Sequence, residues 1–339
     1  MAQKSVIVMF GPFVHNIDPI IFTIFGIHIF WYGLSFTSGF LSTHFFLSRN
    51  RERVGLSLPA VYDLTLFLAI GVLIGGRFVV VVNNEWDFYR EHLLLIPSIW
   101  VGGFATHGLI FGGAAGVILF CLIYRAPMRR ILDLLAISAA IIMGFGRIGN
   151  FIDGQIFGSL TDAPWGVKFP NVEGFRHPVV LYDGLKNFLL VPFLMWVRKR
   201  GVPPGRIAAL FIFLYALLRI PIDLLREYPI SMWGLPTGQT LNIITVFIGL
   251  IILAVNIYRA RYGQKTPLPV KADDNRNGLG WRRLALAVCC LIPLVIPSDA
   301  TRDVPATYGE RHPGLEHSWM YPPIAEDLAK SASRASEDK

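Results

Sequence analysis

The chain has 339 residues, 53% hydrophobic and 16% charged, with a net charge of +8 and a mean hydropathy of +0.52. A soluble domain carries about 25% charged residues, so a soluble enzyme, a disordered tail protein and a disulfide scaffold are poor fits, whereas the 25 Phe, 8 Trp and 11 Tyr suit an integral membrane protein. The basic residues sit in short clusters between apolar runs, a pattern of membrane topology and not of a groove that tracks nucleic acid phosphates.

A membrane helix needs roughly 20 mostly apolar residues. Met1 to Asn16 shows no cleavable signal, so direct insertion is expected. Seven segments then qualify in order: Ile29–Leu47, Ala60–Val82, Phe104–Tyr124, Ile131–Ile152, Pro178–Val197, Ile207–Leu225 and Leu241–Ile257. An eighth, Leu284–Pro297, is short and holds Pro293 and Pro297; it could be a marginal span or an interfacial segment. The expected fold is an all-α polytopic membrane protein with a core over residues 1–260. Residues 83–98 form an external arm and 153–176 a small external head. A basic linker, 261–283, and a polar tail, 298–339, expected to be disordered, follow. Cys121, Cys289 and Cys290 lie in apolar runs, and no Cys/His spacing suggests a metal.

Orientation follows from the loops. Arg49, Arg51 and Arg53, then Arg125, Arg129 and Arg130, then Arg198, Lys199, Arg200 and Arg206, and finally the basic linker, mark one side as cytoplasmic. With that orientation, Tyr32, Arg77, His107, Arg147, Asn150, His177, Tyr182, Tyr215, Arg219 and Asp223 all fall in the outer half of the bilayer, at about 1.5 Å of rise per residue. Ionisable groups at that depth cost about 2.5–3.5 kcal/mol each on insertion scales, so they pair or face a cavity. Arginine grips phosphate with a planar fork. An arginine-lined cavity at headgroup depth implies a phospholipid ligand. Asp63, Asp133 and Lys186 lie deeper or towards the other side, where the two carboxylates are expected to brace helix starts.

The run Gly146-Arg147-Ile148-Gly149-Asn150-Phe151-Ile152-Asp153-Gly154-Gln155-Ile156-Phe157-Gly158 resembles the signature GRxGNFxNGExxG of the bacterial phosphatidylglycerol–prolipoprotein diacylglyceryl transferases. Trp31-Tyr32-Gly33, Gly75-Gly76-Arg77, Trp100-Val101-Gly102-Gly103 with His107-Gly108, Arg176-His177-Pro178, and Tyr215 with Arg219, Asp223 and Arg226 follow in family order, so the resemblance covers roughly residues 15–260. It implies transfer of a diacylglyceryl group from phosphatidylglycerol to the lipobox cysteine thiol of a preprolipoprotein, in the inner membrane, with the site facing the outer leaflet. It implies no cofactor and no metal, and a monomer among membrane lipids.

The resemblance makes Arg147 and Arg219 the groups that hold the departing phosphate. His107, with Tyr215, is the leading candidate for taking the thiol proton. Arg147, Asn150, Tyr32, Gly158, Gln155, Gly102, Gly103 and Arg77 are the expected substrate-binding residues. The sequence departs from the family pattern at Asp153, Gln155 and Asp223, which stand where Asn, Glu and Glu are usual. Two other readings stay open on the residues: a catalytically impaired relative that binds lipid or precursor, and a small-anion transporter. The second is disfavoured, because the polar groups gather at one depth and no repeat is visible.

Overall fold

A computed structural model describes residues 12–226, 234–262, 277–298 and 303–323, and within them the side chains of all but residues 83, 84, 106, 107 and 237. The protein is an all-α polytopic membrane protein. In chain order its helices are α1 (Trp31–Val54), α2 (Leu58–Val79, running on as a π turn over Val80–Asn84), the short α3 (Trp86–Tyr89), α4 (Thr106–Ile123), α5 (Met128–Asp153), α6 (Val179–Lys199), α7 (Arg206–Asp223), α8 (Thr237–Tyr262), α9 (Leu279–Leu291, followed by a 3-10 turn over Ile292–Val295) and α10 (Val304–Tyr308). Each of the seven core segments read from the sequence overlaps one of the long helices, most of which run a few residues past the bounds read. Leu58–Val82, Met128–Asp153, Val179–Lys199 and Gly238–Tyr262 are long and apolar enough to cross a membrane, and Gly108–Ile123 is apolar but shorter. α7 is set apart from these by its charges, Arg206, Arg219 and Asp223, and α1 by polar residues along its length, among them Ser35, Thr37, Ser38, Ser42, Thr43 and His44, ahead of its closing Arg49, Arg51, Glu52 and Arg53.

The first helix begins later than expected. Ile27–Phe30 is a strand, β3, paired antiparallel with β2 (Ile20–Ile24) around the tight turn Phe25-Gly26. A short apolar run rich in isoleucine does not reveal helix or strand by periodicity alone, and here β-branching favours the strand. The head also draws on the N-terminus: β1 (Phe13–Val14) pairs in parallel with β4 (Val167–Lys168).

Neighbouring helices alternate in direction. The upper end of the molecule is where α5 and α7 finish and α1, α4, α6 and α8 start. The lower end is tied by carboxylates. Asp133 accepts from the Gly205 and Ala208 amides at 2.7 and 2.9 Å, capping α7 from α5. Asp63 accepts from the Tyr124 hydroxyl and from Arg282 Nε, each at 2.7 Å.

The α2–α4 pair packs on glycines. Gly71 and Gly75 face Gly108, Gly112 and Gly116, and a side chain at Gly112 would meet the Gly71 carbonyl and lie 2.8 Å from Gly75 Cα. Small residues every fourth position let two backbones touch, and in lipid such packing substitutes for the missing hydrophobic drive. Gly112→Leu is expected to cost at least the ~1–3 kcal/mol typical of overpacking; an unaltered apparent Tm in detergent would contradict this contact.

The C-terminal segment departs from expectation. α9 and its 3-10 turn lie along α1 and α2, burying Leu286, Cys289 and Cys290 against Phe40, Leu66 and Ala69. Arg282 reaches Asp63 at the lower end, while Ile296 packs with Tyr32 and Phe104 at the upper end. The tail read as disordered is folded over 303–323: Val304, Tyr308 and Tyr321 are buried with Ile20 and Phe30. Its composition is polar, but Tyr308 and Tyr321 find an apolar seat on the β2–β3 hairpin. Trp100 Nε1 donates to the Met320 carbonyl at 2.8 Å, and the His28 amide donates to the Tyr321 hydroxyl at 3.1 Å.

Two histidines at this upper end are buried. His15 Nε2 donates to the Phe151 carbonyl at 2.7 Å, and His28 stacks on Tyr321 with centroids 4.4 Å apart. Burial lowers both pKa values from the usual 6.5. As pH falls, the unfolded imidazoles take up protons before the folded ones, so the stability these residues contribute is full above about pH 6.5 and drains away below it. Acidification from pH 7 to 5 should lower the apparent Tm, and His15→Gln with His28→Gln should flatten that dependence.

Candidate active site

Three helices deliver the central cluster. On α5, Arg147 and Asn150 are three residues apart and share a face. On α6, Asp183 and Lys186 stand in the same relation, and on α7 Tyr215, Arg219 and Asp223 follow at intervals of four. The three faces meet at Asp183, whose side chain is wholly buried.

Arg147 Nε donates to Asp183 Oδ2 at 2.5 Å, and Arg219 Nη1 donates to the same oxygen. Lys186 Nζ lies 2.8 Å from Oδ1 and also sits 3.8 Å from the centroid of the Tyr215 ring. Arg219 Nε donates at 2.9 Å to Asp223 Oδ1, while Asn242 Nδ2 of α8 donates to Oδ2 at 2.6 Å. Arg147 Nη1 donates to Asn150 Oδ1 at 3.1 Å. Gly184 makes room for this meeting: a Cβ there would stand 3.2 Å from Arg147 Cβ.

These five ionised groups comprise three cations, Arg147, Lys186 and Arg219, and two carboxylates, Asp183 and Asp223, leaving one net positive charge. The ion pairs fix both guanidinium groups before any ligand arrives. Fixed donors with surplus positive charge suit an anion whose charge grows during reaction. Asn150 Nδ2 is buried with no hydrogen-bond partner among the described residues, so it holds a donor in reserve.

A model of the prolipoprotein diacylglyceryl transferase family matches residues 19–255. The chain belongs to that family. It is similar to the phosphatidylglycerol–prolipoprotein diacylglyceryl transferase of Geobacter sulfurreducens, at 36% identity over 262 residues, 73% of this chain and 98% of the relative. It is also similar to those of Brucella anthropi, at 32% over 69% of this chain and 90% of the relative, and of Legionella pneumophila, at 31% over 69% and 95%.

The transferase fold brings together some of the residues singled out in its sequence and separates others. Arg147, Arg219, Tyr215 and Asn150 share the cluster. Lys186, which the depth argument set aside, belongs to it, because its long side chain reaches back one turn to Asp183. Asp183 itself was missed; the signal was an acidic residue followed by Gly184 in the first turns of an apolar helix. The side chain of His107 lies outside the described residues; its backbone is in the first turn of α4.

Arg77 serves a different purpose. Its guanidinium donates to the carbonyls of Leu95, Ile96, Ser98, Gly102 and Gly103 and stacks 5.0 Å from the Tyr89 centroid. It therefore clamps the arm, and Gly102 and Gly103 take the positive φ values, 88° and 82°, that present those carbonyls. Gly158 is also a packing position: a Cβ there would fall 2.7 Å from the Leu225 carbonyl and from Val179 Cγ1. Tyr32 packs against Gly149, about 200° around α5 from Arg147, on the side of α1. Gln155 is half-buried just past the end of α5. Asp223, the shorter acid, still reaches both Arg219 and Asn242.

Proposed function

We propose that this protein transfers the diacylglyceryl group of phosphatidylglycerol to the lipobox cysteine thiol of preprolipoproteins. The substrate thiolate attacks the glyceryl carbon that bears the phosphate ester. A C–S bond forms, the C–O bond breaks, and glycerol phosphate leaves with the bonding pair. Arg147 and Arg219 hold the phosphate oxygens as their charge grows, and Asn150 donates its free amide hydrogens to headgroup oxygens. His107 is the group that receives the thiol proton, and Tyr215, beside both guanidinium groups, assists through its hydroxyl as a hydrogen-bonding group. The chain lies in the bacterial inner membrane with the cluster in the outer leaflet, the basic loops facing the cytoplasm, and α9 with its 3-10 turn as an eighth crossing.

The observation that carries this reading is the convergence of Arg147 and Arg219 on one buried carboxylate, with a positive charge to spare. Purified full-length protein, given phosphatidylglycerol and a lipobox peptide, should yield the thioether and release glycerol phosphate. Lipid binding with no thioether, under conditions where the Geobacter relative turns over, would sink the proposal in favour of a binding protein.

A further inference from the structure

The family match ends at residue 255, and 98% of the Geobacter relative is accounted for by 73% of this chain, so the segment from α9 to residue 323 is an addition to the shared core. It is nonetheless built in. Thr37 Oγ1 of α1 donates to the Cys290 carbonyl at 2.6 Å, and Gly33 lies directly against the Pro293 carbonyl, where any side chain would collide. Beyond it, α10 and the following turn reach the end of α5.

An α-helix leaves its last four carbonyls without intrahelical donors, and its C-terminus favours positive charge. α5 has no basic residue in its last turn and finishes instead on an acid, Asp153, which is buried. That carboxylate is placed where the helix dipole opposes it. The added segment supplies what α5 lacks. Arg311 Nη2 donates to the Asp153 carbonyl at 2.8 Å, and Nη1 lies 3.3 Å from the Ile152 carbonyl and 3.2 Å from that of Ile17. The Tyr308 hydroxyl, on a ring with no exposure, donates to Asp153 Oδ1. Gly154, at φ 78°, turns the chain beneath the same guanidinium, and a Cβ there would stand 3.3 Å from Arg311 Nη1.

We infer that Arg311 and Tyr308 are positioning residues: the C-terminal addition caps α5 from outside the family core and thereby holds the turns that carry Asn150 and Arg147. Asn150 lies three residues from Asp153 and Arg147 six, so the cap is about 4.5 and 9 Å along the axis from the two groups. The Gly154 amide closes the helix on the Asn150 carbonyl at 3.1 Å, but without Arg311 the Ile152 and Asp153 carbonyls lose their donor, and fraying of that turn reaches Asn150 first and then loosens Arg147. Asp153, which departs from the asparagine of the family signature, is the residue that makes the cap necessary. This inference rests on the proposed transferase reaction only for its kinetic consequence.

The test uses the full-length protein in lipid nanodiscs, with variants Arg311→Ala, Arg311→Lys, Tyr308→Phe and Tyr308→Phe/Asp153→Asn. Displaced positioning groups cost about ten- to a hundredfold in rate. Arg311→Ala should raise KM for phosphatidylglycerol by about tenfold with KM for the peptide unchanged, and should speed amide hydrogen exchange at residues 150–154 by a similar factor. Arg311→Lys should recover part of both effects, and Asp153→Asn should reverse the smaller defect of Tyr308→Phe by removing the charge that needs the hydroxyl. Lower yield of folded protein with unchanged KM and unchanged exchange would overturn the inference, leaving the addition as packing alone. Absence of turnover in the unmodified protein would defeat the transferase proposal, and exchange at 150–154 would still decide whether the cap exists.

Discussion

Arg147→Ala is expected to lower kcat/KM for thioether formation by at least about 10²–10³-fold, the loss typical when a preorganised donor is removed from a site of developing negative charge. Arg219→Ala should do the same, because both guanidinium groups converge on one carboxylate and in the proposed reaction hold one leaving group. Lysine substitutions separate charge from shape. Arg147→Lys keeps the positive charge but cannot donate to Asp183 and Asn150 through one rigid plane, as Nε and Nη1 do. It should therefore retain only a small fraction of the activity, with most of the loss in kcat. The two alanine substitutions act on one unit, so the double variant should be little worse than either single one. Steady-state kinetics on phosphatidylglycerol vesicles with a lipobox peptide decide the matter, and near-normal turnover by Arg147→Ala would remove these residues from the chemistry.

Depth in the membrane made this pair legible before any coordinates. Charged side chains in apolar helices are costly enough to betray their own pairing, and rise per residue alone put Arg147 and Arg219 at one level. What that argument could not supply was the rotation of each helix. Arg77 shares the depth of the cluster but faces the arm, where loop carbonyls satisfy its donors. Gly158 lies in the signature run, yet its missing side chain admits Leu225 and Val179. Lys186 was misplaced for the opposite reason: its Cα lies deeper, and four methylenes bring its ammonium back up. The C-terminal addition was illegible for another reason. Its contacts span more than 150 residues of sequence, as with Tyr308 and Asp153, and a polar composition gives no hint of partners so far away.

Asp183→Asn should destabilise the protein as severely as any substitution in the bundle. Asp183 has no exposed surface and accepts from Arg147, Lys186 and Arg219 at once. Without its charge the cluster holds three cations against Asp223 alone, a net charge of +2 in a medium where water cannot screen it. Breaking a buried ion pair by removing one partner costs about 3–5 kcal/mol, because the other charge is left uncompensated. The apparent Tm in detergent should fall accordingly, and turnover should fall with it as the arginines separate. Charge balance and geometry can be told apart by the double variant Asp183→Asn/Lys186→Met, which restores the net charge to +1. Stability should recover substantially, since two guanidinium groups now share an amide and Asp223. Activity should not recover, because a neutral amide oxygen in place of the charged Oδ2 no longer holds both arginines as an ion pair. An apparent Tm for Asp183→Asn equal to that of the unmodified protein would show that Asp183 is not the hub on which the three helices close.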